Sequence, residues 1–149
     1  MQTITRDVRV NAPIERVFNF LVDPHKLSDI WPSIVEVKSV KKAKNNDGFK
    51  FNWDYRMAGV EFEGKCETIE HILNERIVIK STKGLDSTIT WTLNPAGQNT
   101  QVTLKFDYQI PASVLKEAEE EAVAQQNERE VETMLQNLKN RMELEPAHA

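Results

Sequence analysis

The chain has 149 residues, a single cysteine and a formal net charge of −4 at neutral pH. This length fits one domain with its own hydrophobic core, and one cysteine excludes an internal disulfide. No apolar run approaches the roughly 20 residues that a membrane-spanning helix needs, and the N-terminus lacks the plan of a signal peptide, so we expect a cytoplasmic protein.

The negative charge is unevenly distributed along the chain. Most of the acidic excess lies between Ser113 and Glu145, and the remainder is almost neutral. No stripe of basic residues stands out, so the sequence predicts no phosphate-binding face and no general nucleic-acid binding. A shape-specific contact with RNA or a ribosome stays open.

The first third of the chain predicts a strand followed by helical structure. Alternating residues up to Val10 indicate the strand, and Asn-Ala-Pro at 11–13 opens a helix because proline is accepted in a first turn. Asp23-Pro24 either ends this helix or restarts a second short one, and Trp31-Pro32 closes the segment.

Six further strands are predicted between residues 35 and 110. The first spans 35–43, and the turn at 45–48 leads into 49–57, where every second residue is large and apolar. Short turns then separate four more alternating strands, at Ala58-Gly59, 73–75, Lys83-Gly84 and 94–97. Short hairpin turns imply antiparallel neighbours.

The residues after Ser113 have a helical period. Their apolar stripe consists of Val131, Met134, Leu135, Leu138 and Met142. The preceding segment is more polar, so the sequence fits either a short helix and a long one, or one long helix with a poorly packed front half. We predict an α+β fold in one domain, residues 1–149, with two short helices between the first two strands. A curved, seven-stranded antiparallel sheet wraps around the long terminal helix, and 146–149 form a frayed tail.

Four stretches carry a resemblance to a known family. They are VNAPIERVFNFLVD at 10–23, Trp31-Pro32, the strand-rich middle with Gly48-Phe49 and Trp91-Thr92-Leu93, and ETMLQNLK at 132–139. In these stretches the chain resembles the START-like (SRPBCC) helix-grip superfamily, often labelled polyketide cyclase/dehydrase and lipid transport. Within it, the chain is most similar to small bacterial members grouped with polyketide cyclases and coenzyme Q-binding proteins. The resemblance implies a cavity for a hydrophobic small molecule between sheet and helix, and it carries over no set of catalytic residues.

The candidate site is the predicted inner face of the sheet together with the terminal helix. Ligand pockets are mostly apolar with a few placed polar groups, and the polar tips here are tyrosine hydroxyls and indole N–H groups. The residues predicted to contact a ligand are Phe49, Phe51, Trp53, Tyr55, Met57, Phe62, Trp91, Phe106, Tyr108 and Met134. The alternative is that these side chains simply fill the core.

Other reactive residue types are scattered along the chain. His25 and Asp29 could meet on a helix face, although such pairs are usually surface contacts. His71 and His148 stand alone, and Cys66 lies among apolar residues, as an inert core thiol would. We predict no metal site and no cofactor.

The predicted inner face offers phenols and indoles but no clear carboxylate, histidine or arginine, which favours binding over proton-transfer catalysis. The leading hypothesis is binding or transport of a lipid, isoprenoid quinone or polyketide-like aromatic, with the loops near Trp31, Gly59 and Gly84 at the mouth and the polar front of the terminal helix as a lid. One alternative is a cyclase/dehydratase-like enzyme that uses Tyr55 or Tyr108. Another is a protein-interaction module that uses an outer surface. Oligomeric state is left open.

Overall fold

The computed structural model describes residues 1–144 and contains one seven-stranded sheet and four helices. The elements are β1 Gln2–Val10, α1 Ile14–Val22, α2 Pro24–Ile30, β2 Ile34–Lys42, β3 Phe49–Met57, β4 Val60–Ile72, β5 Arg76–Ser81, β6 Ser87–Ala96, β7 Asn99–Tyr108, α3 Ala112–Leu115 and α4 Glu120–Leu144. All neighbouring strands are antiparallel, in the order β1-β7-β6-β5-β4-β3-β2. The predicted fold class is confirmed. None of the four helices is long and apolar enough to cross a membrane.

The two short helices follow the proline positions of the sequence. Pro13 is the N-cap of α1, and the Asp23 side chain caps α2 by accepting a hydrogen bond from the backbone N–H of His25 at 3.0 Å. Pro24 is tolerated as the first residue of α2 because its missing N–H would be unpaired there. Of the two alternatives at Asp23-Pro24, a second helix is the one that forms.

The C-terminal segment divides into a single turn, α3, and the long helix α4. The alternative of one long helix is therefore wrong. The apolar stripe of α4 is buried, from Val131 to Met142. The predicted tail at 146–149, which includes His148, lies outside the described residues, and the domain extent of 1–149 stays a prediction.

One predicted turn is displaced. The sequence indicates a turn over 94–97, but β6 continues to Ala96 and the chain reverses at Gly97 and Gln98. Pro95 is accepted within the strand because the pairing of β6 with β5 stops at Thr92, so that only β7 lies beside it there.

The inner face of the sheet packs with α1, α2 and α4 around an aromatic core. Trp31 lies at its centre, with ring centroids 5.3 Å from Phe106, 5.7 Å from Trp53 and 5.9 Å from Tyr55, all edge to face. Such pairs add about 0.5–1.5 kcal/mol each beyond their burial. Gly64 lets β4 pass this core, since a Cβ there would lie 2.3 Å from Nε1 of Trp53.

Candidate functional site

The ten residues predicted to contact a ligand lie in or beside the core. Eight are buried: Phe51, Trp53, Tyr55, Met57, Trp91, Phe106, Tyr108 and Met134. Phe49 and Phe62 are partly exposed. Of the ten, only Phe51 and Met57 line any of three pockets found on the protein. Ligand contact by this set therefore stays a prediction.

A pocket of about 170 Å³ lies where α4 crosses the β3–β4 hairpin. We call it the hairpin pocket; its lining includes Ser33, Met57, Gly59, Asn127 and Glu130. The hairpin turn consists of Ala58 and Gly59, at φ values of 50° and 81°, as a tight two-residue turn requires. These two small residues leave the pocket open at this end of the sheet.

Glu130 is the partly buried ionisable residue of the hairpin pocket. Its Oε1 accepts a hydrogen bond from Nε1 of Trp31 at 2.9 Å, and its Oε2 accepts one from Oγ of Ser33 at 2.6 Å. The same indole N–H also donates to the hydroxyl of Tyr55 at 3.1 Å. Burial raises the pKa of Glu130, and the two donors oppose that rise because they favour the carboxylate.

The two tyrosine hydroxyls of the inner face have polar partners. Tyr55 shares the indole of Trp31 with Glu130, and Nδ2 of the buried Asn127 donates to the hydroxyl of Tyr108 at 3.0 Å. Burial raises the pKa of both phenols, and the charge of Glu130 raises the pKa of Tyr55 further. Both phenols are therefore neutral at physiological pH and act as hydrogen-bonding groups rather than as bases.

Two indole N–H groups in the core lack a partner. Nε1 of Trp53 and Nε1 of Trp91 are buried and donate no hydrogen bond to any atom of residues 1–144. Leaving a buried donor unpaired costs about 1–3 kcal/mol. A bound molecule with an acceptor oxygen could recover part of that free energy.

Neither Glu130 nor Asn127 is predicted from the sequence: the predicted inner face of the sheet lacks a clear carboxylate, and both residues come from α4 instead. Both lie on the side of α4 that carries Val131 and Met134, at helical spacing. The spacing is a usable signal, but it does not tell which polar neighbour of an apolar stripe turns inward. That depends on where α4 crosses β3.

The other candidates take structural positions. Asp29 forms an ion pair with Arg141 at 3.3 Å instead of meeting His25. The ring of His71 packs edge-on against Phe18 of α1, with 5.1 Å between the ring centroids. Cys66 is buried, and burial raises its pKa to about 12, which disfavours the reactive thiolate. Residues 1–144 contain no group of histidine, cysteine and acidic side chains that could hold a metal ion.

Comparison with known proteins adds a family and several similar folds. A family profile described as polyketide cyclase / dehydrase and lipid transport matches residues 1–143. No curated protein sequence matches the chain. A START superfamily protein from Mycobacterium smegmatis superimposes with a TM-score of 0.78 at 14% identity, covering 95% of this chain and 97% of that one.

Two further solved structures, of proteins named as an aromatase/cyclase and as Aha1, have similar folds. The Zhui aromatase/cyclase from Streptomyces sp. R1128 has a TM-score of 0.72 at 18% identity, with 95% of this chain and 93% of that chain covered. Aha1 from Colwellia psychrerythraea, solved as a dimer, has a TM-score of 0.66 at 13% identity, with 97% and 98% covered. At these identities the likeness extends to the fold alone.

Proposed function

The chain belongs to the polyketide cyclase/dehydrase and lipid transport family, and from this premise we propose that it binds a hydrophobic small molecule whose polar group lies in the hairpin pocket. The observation that carries the proposal is the set of hydrogen-bonding side chains of Ser33, Asn127 and Glu130 at the edge of an aromatic core. An apolar wall with a few directed polar groups is the usual composition of a small-molecule site.

The size of the hairpin pocket indicates how much of the ligand it holds. Its volume of about 170 Å³ is below the roughly 300–1,000 Å³ of most ligand pockets, so it accommodates a polar head and a few carbons. The remainder of the ligand would lie between β3 and α4, against the predicted aromatic residues.

Entry of the apolar body of the ligand would require the front of α4 to separate from the sheet. The back of α4 is tied down: Asn137 donates to the carbonyl of Ile30 at 3.0 Å, and Lys139 donates to the carbonyl of Arg9 at 3.1 Å. Along α4 the first side chain with a hydrogen bond to the sheet within residues 1–144 is Asn127, which donates to the hydroxyl of Tyr108. Opening at 120–126 therefore breaks fewer side-chain polar contacts than opening at the back, and opening as far as the hairpin pocket would also break the hydrogen bonds of Asn127 and Glu130.

Lipids, isoprenoid quinones and polyketide-like aromatics all combine an apolar body with at least one oxygen, and we propose this class as the ligand. Binding and transport place the same demand on the site, so the proposal covers both. The cytoplasmic location and the protein-interaction alternative remain predictions from the sequence.

The test is ligand binding by the purified chain. Native mass spectrometry would look for a co-purified apolar compound, and thermal unfolding would be followed with a fatty acid, a short-chain quinone and a hydroxylated anthraquinone. A ligand at 100 times its Kd stabilises by about 2.7 kcal/mol, which raises Tm by several degrees. No co-purified compound and no shift from any of the three would refute the proposal.

A pair of variants locates the site. Glu130→Gln should weaken binding, because the charged acceptor in the hairpin pocket is lost, while the matched Glu132→Gln changes an exposed residue of the same helix. Equal affinities of the two variants would show that the ligand does not bind in the hairpin pocket.

A second candidate function is acid–base catalysis on such a ligand, and one observation favours it. Burial raises the pKa of Glu130, and a carboxylate with a raised pKa is a better proton acceptor. In a cyclase/dehydratase-like reaction Glu130, rather than Tyr55 or Tyr108, would carry that proton. Loss of water from a polyketide-like substrate, detected by mass spectrometry and abolished in Glu130→Gln at substrate concentrations that saturate the variant, would establish catalysis.

A further inference from the structure

A second pocket lies on the opposite, outer face of the sheet and crosses β2, β3, β4 and β5. Its volume is about 400 Å³, and four lysines line it: Lys41, Lys50, Lys65 and Lys80. Glu67 is the acidic residue of the lining. We call this the lysine pocket. The sequence gives no sign of this pocket, because the four lysines come from four separate strands and form no stripe within one element.

Strand register brings the lysines together. Lys41 lies directly opposite Lys50, and Glu67 lies between Lys50 and Lys80 in the same row of the sheet. Lys65 lies in the adjacent row, opposite Asn52. Like charges directly opposite each other destabilise a sheet, and one glutamate cannot balance four lysines. Repulsion among the lysines therefore destabilises the folded chain at this position.

A neighbouring lysine shows that the uncompensated positive charge is confined to the lysine pocket. Lys38, on the same strand and the same face, forms ion pairs with Asp54 at 3.2 Å and Glu63 at 3.0 Å. None of the four pocket lysines forms an ion pair within residues 1–144. Apart from the electrostatic attraction between Lys65 and Glu63, their charges are thus available to an external anion.

Two irregularities of the sheet border the lysine pocket. The register of β2 shifts between Lys38 and Lys41, where Ser39 has a φ of 58°, and the register of β4 shifts between Thr68 and Glu70. Such bulges bend a strand and redirect its side chains, and a non-glycine residue in the left-handed region is strained in a way that is common at functional sites. Ser39 itself lines the pocket.

We propose that the lysine pocket binds a water-soluble small molecule that carries two or more linked phosphate groups. Several negative charges within a few ångströms match the four ammonium groups, and a volume of about 400 Å³ suits a compact molecule. A bilayer surface is flat and would leave this concave site unfilled. The lysine pocket and the hairpin pocket are on opposite faces of the sheet, so this proposal stands independently of the proposed function.

The test is isothermal titration calorimetry of the full chain with inorganic tripolyphosphate at low ionic strength. Saturable one-to-one binding that weakens as salt is added is expected. The double variant Lys50→Gln/Lys80→Gln should weaken binding at least about tenfold, since charge-assisted contacts are lost. The control Lys105→Gln/Lys116→Gln removes the same charge from positions outside the pocket and should bind as the wild type does.

Stability measurements separate a ligand site from a structural role of the lysines. The double variant removes the repulsion between Lys41 and Lys50 together with the attraction of Glu67 for Lys50 and Lys80. Its Tm without tripolyphosphate should therefore be close to that of the wild type, and it should lose the rise in Tm that tripolyphosphate causes. Absence of saturable binding, or equal loss in the control, would overturn the proposal. So would binding to phosphatidylglycerol vesicles that depends on Lys50 and Lys80 when tripolyphosphate binding does not.

Discussion

Replacing Ser33 by alanine removes a single hydroxyl from the hairpin pocket and therefore probes Glu130 directly. The hydroxyl donates to Oε2 of Glu130 across 2.6 Å, a distance typical of a hydrogen bond to a charged carboxylate. Such bonds contribute about 1.5–3 kcal/mol. Water from the open pocket can replace part of the bond, so we expect Ser33→Ala to lower the free energy of unfolding by roughly 1.5 kcal/mol at pH 8.

The expected loss depends on pH, and its sign follows from the cause. The Ser33 hydroxyl favours the charged form of Glu130, so its removal raises the pKa of Glu130 further. Below the ordinary glutamate pKa of 4.5, the carboxyl is protonated in both the folded and the unfolded state, and the charge-assisted part of the bond is absent. Ser33→Ala should therefore cost less free energy at pH 4 than at pH 8.

Urea unfolding followed by tryptophan fluorescence at both pH values measures this difference. Ser28→Ala is the matched control, because that hydroxyl donates to the backbone carbonyl of His25 at 2.7 Å and contacts no carboxylate; its effect should be the same at both pH values. Carboxyl ¹³C NMR reports the pKa of Glu130 directly. An equal loss for Ser33→Ala at pH 4 and pH 8, with an unchanged pKa of Glu130, would refute the reasoning.

Three further outcomes are expected. Burial raises the pKa of Glu130, so the folded wild type binds this proton more tightly than the unfolded chain. The stability that Glu130 contributes is therefore lost as pH rises from about 4.5 through its raised pKa. Glu130→Gln should remove this contribution from the pH dependence measured in urea titrations, and an unchanged dependence would contradict the assignment. Gly64→Ala puts a methyl group 2.3 Å from Nε1 of Trp53, and such overpacking costs about 1–3 kcal/mol, or roughly 2–4 °C of Tm per kcal/mol; calorimetry showing the wild-type Tm would disprove this close approach. The buried Cys66, whose pKa is raised to about 12, should react with Ellman's reagent at least about a hundredfold more slowly in the native protein than in urea, and equal rates would show that the thiol is accessible.

Side-chain periodicity is sufficient to predict most of the fold. The alternation from Phe49 to Met57 predicts β3 to the residue, because a strand with one buried face must repeat every two positions. The same logic fails where a boundary depends on neighbouring elements. Pro95 looks like part of a turn, but β6 can include it because the pairing of β6 with β5 stops at Thr92 and only β7 lies beside Pro95.

The candidate sites also combine features that one element determines with features that depend on the packing of several elements. The sequence alone determines that the inner face is aromatic and that α4 has an apolar stripe, since both are patterns within one element. Tertiary structure alone decides that Glu130 meets Trp31 and Ser33 beneath the β3–β4 hairpin, and that lysines of four strands meet on the outer face. Each of these groups joins residues that are distant in the chain, and their distances depend on strand register and on the crossing point of α4, which no local pattern encodes.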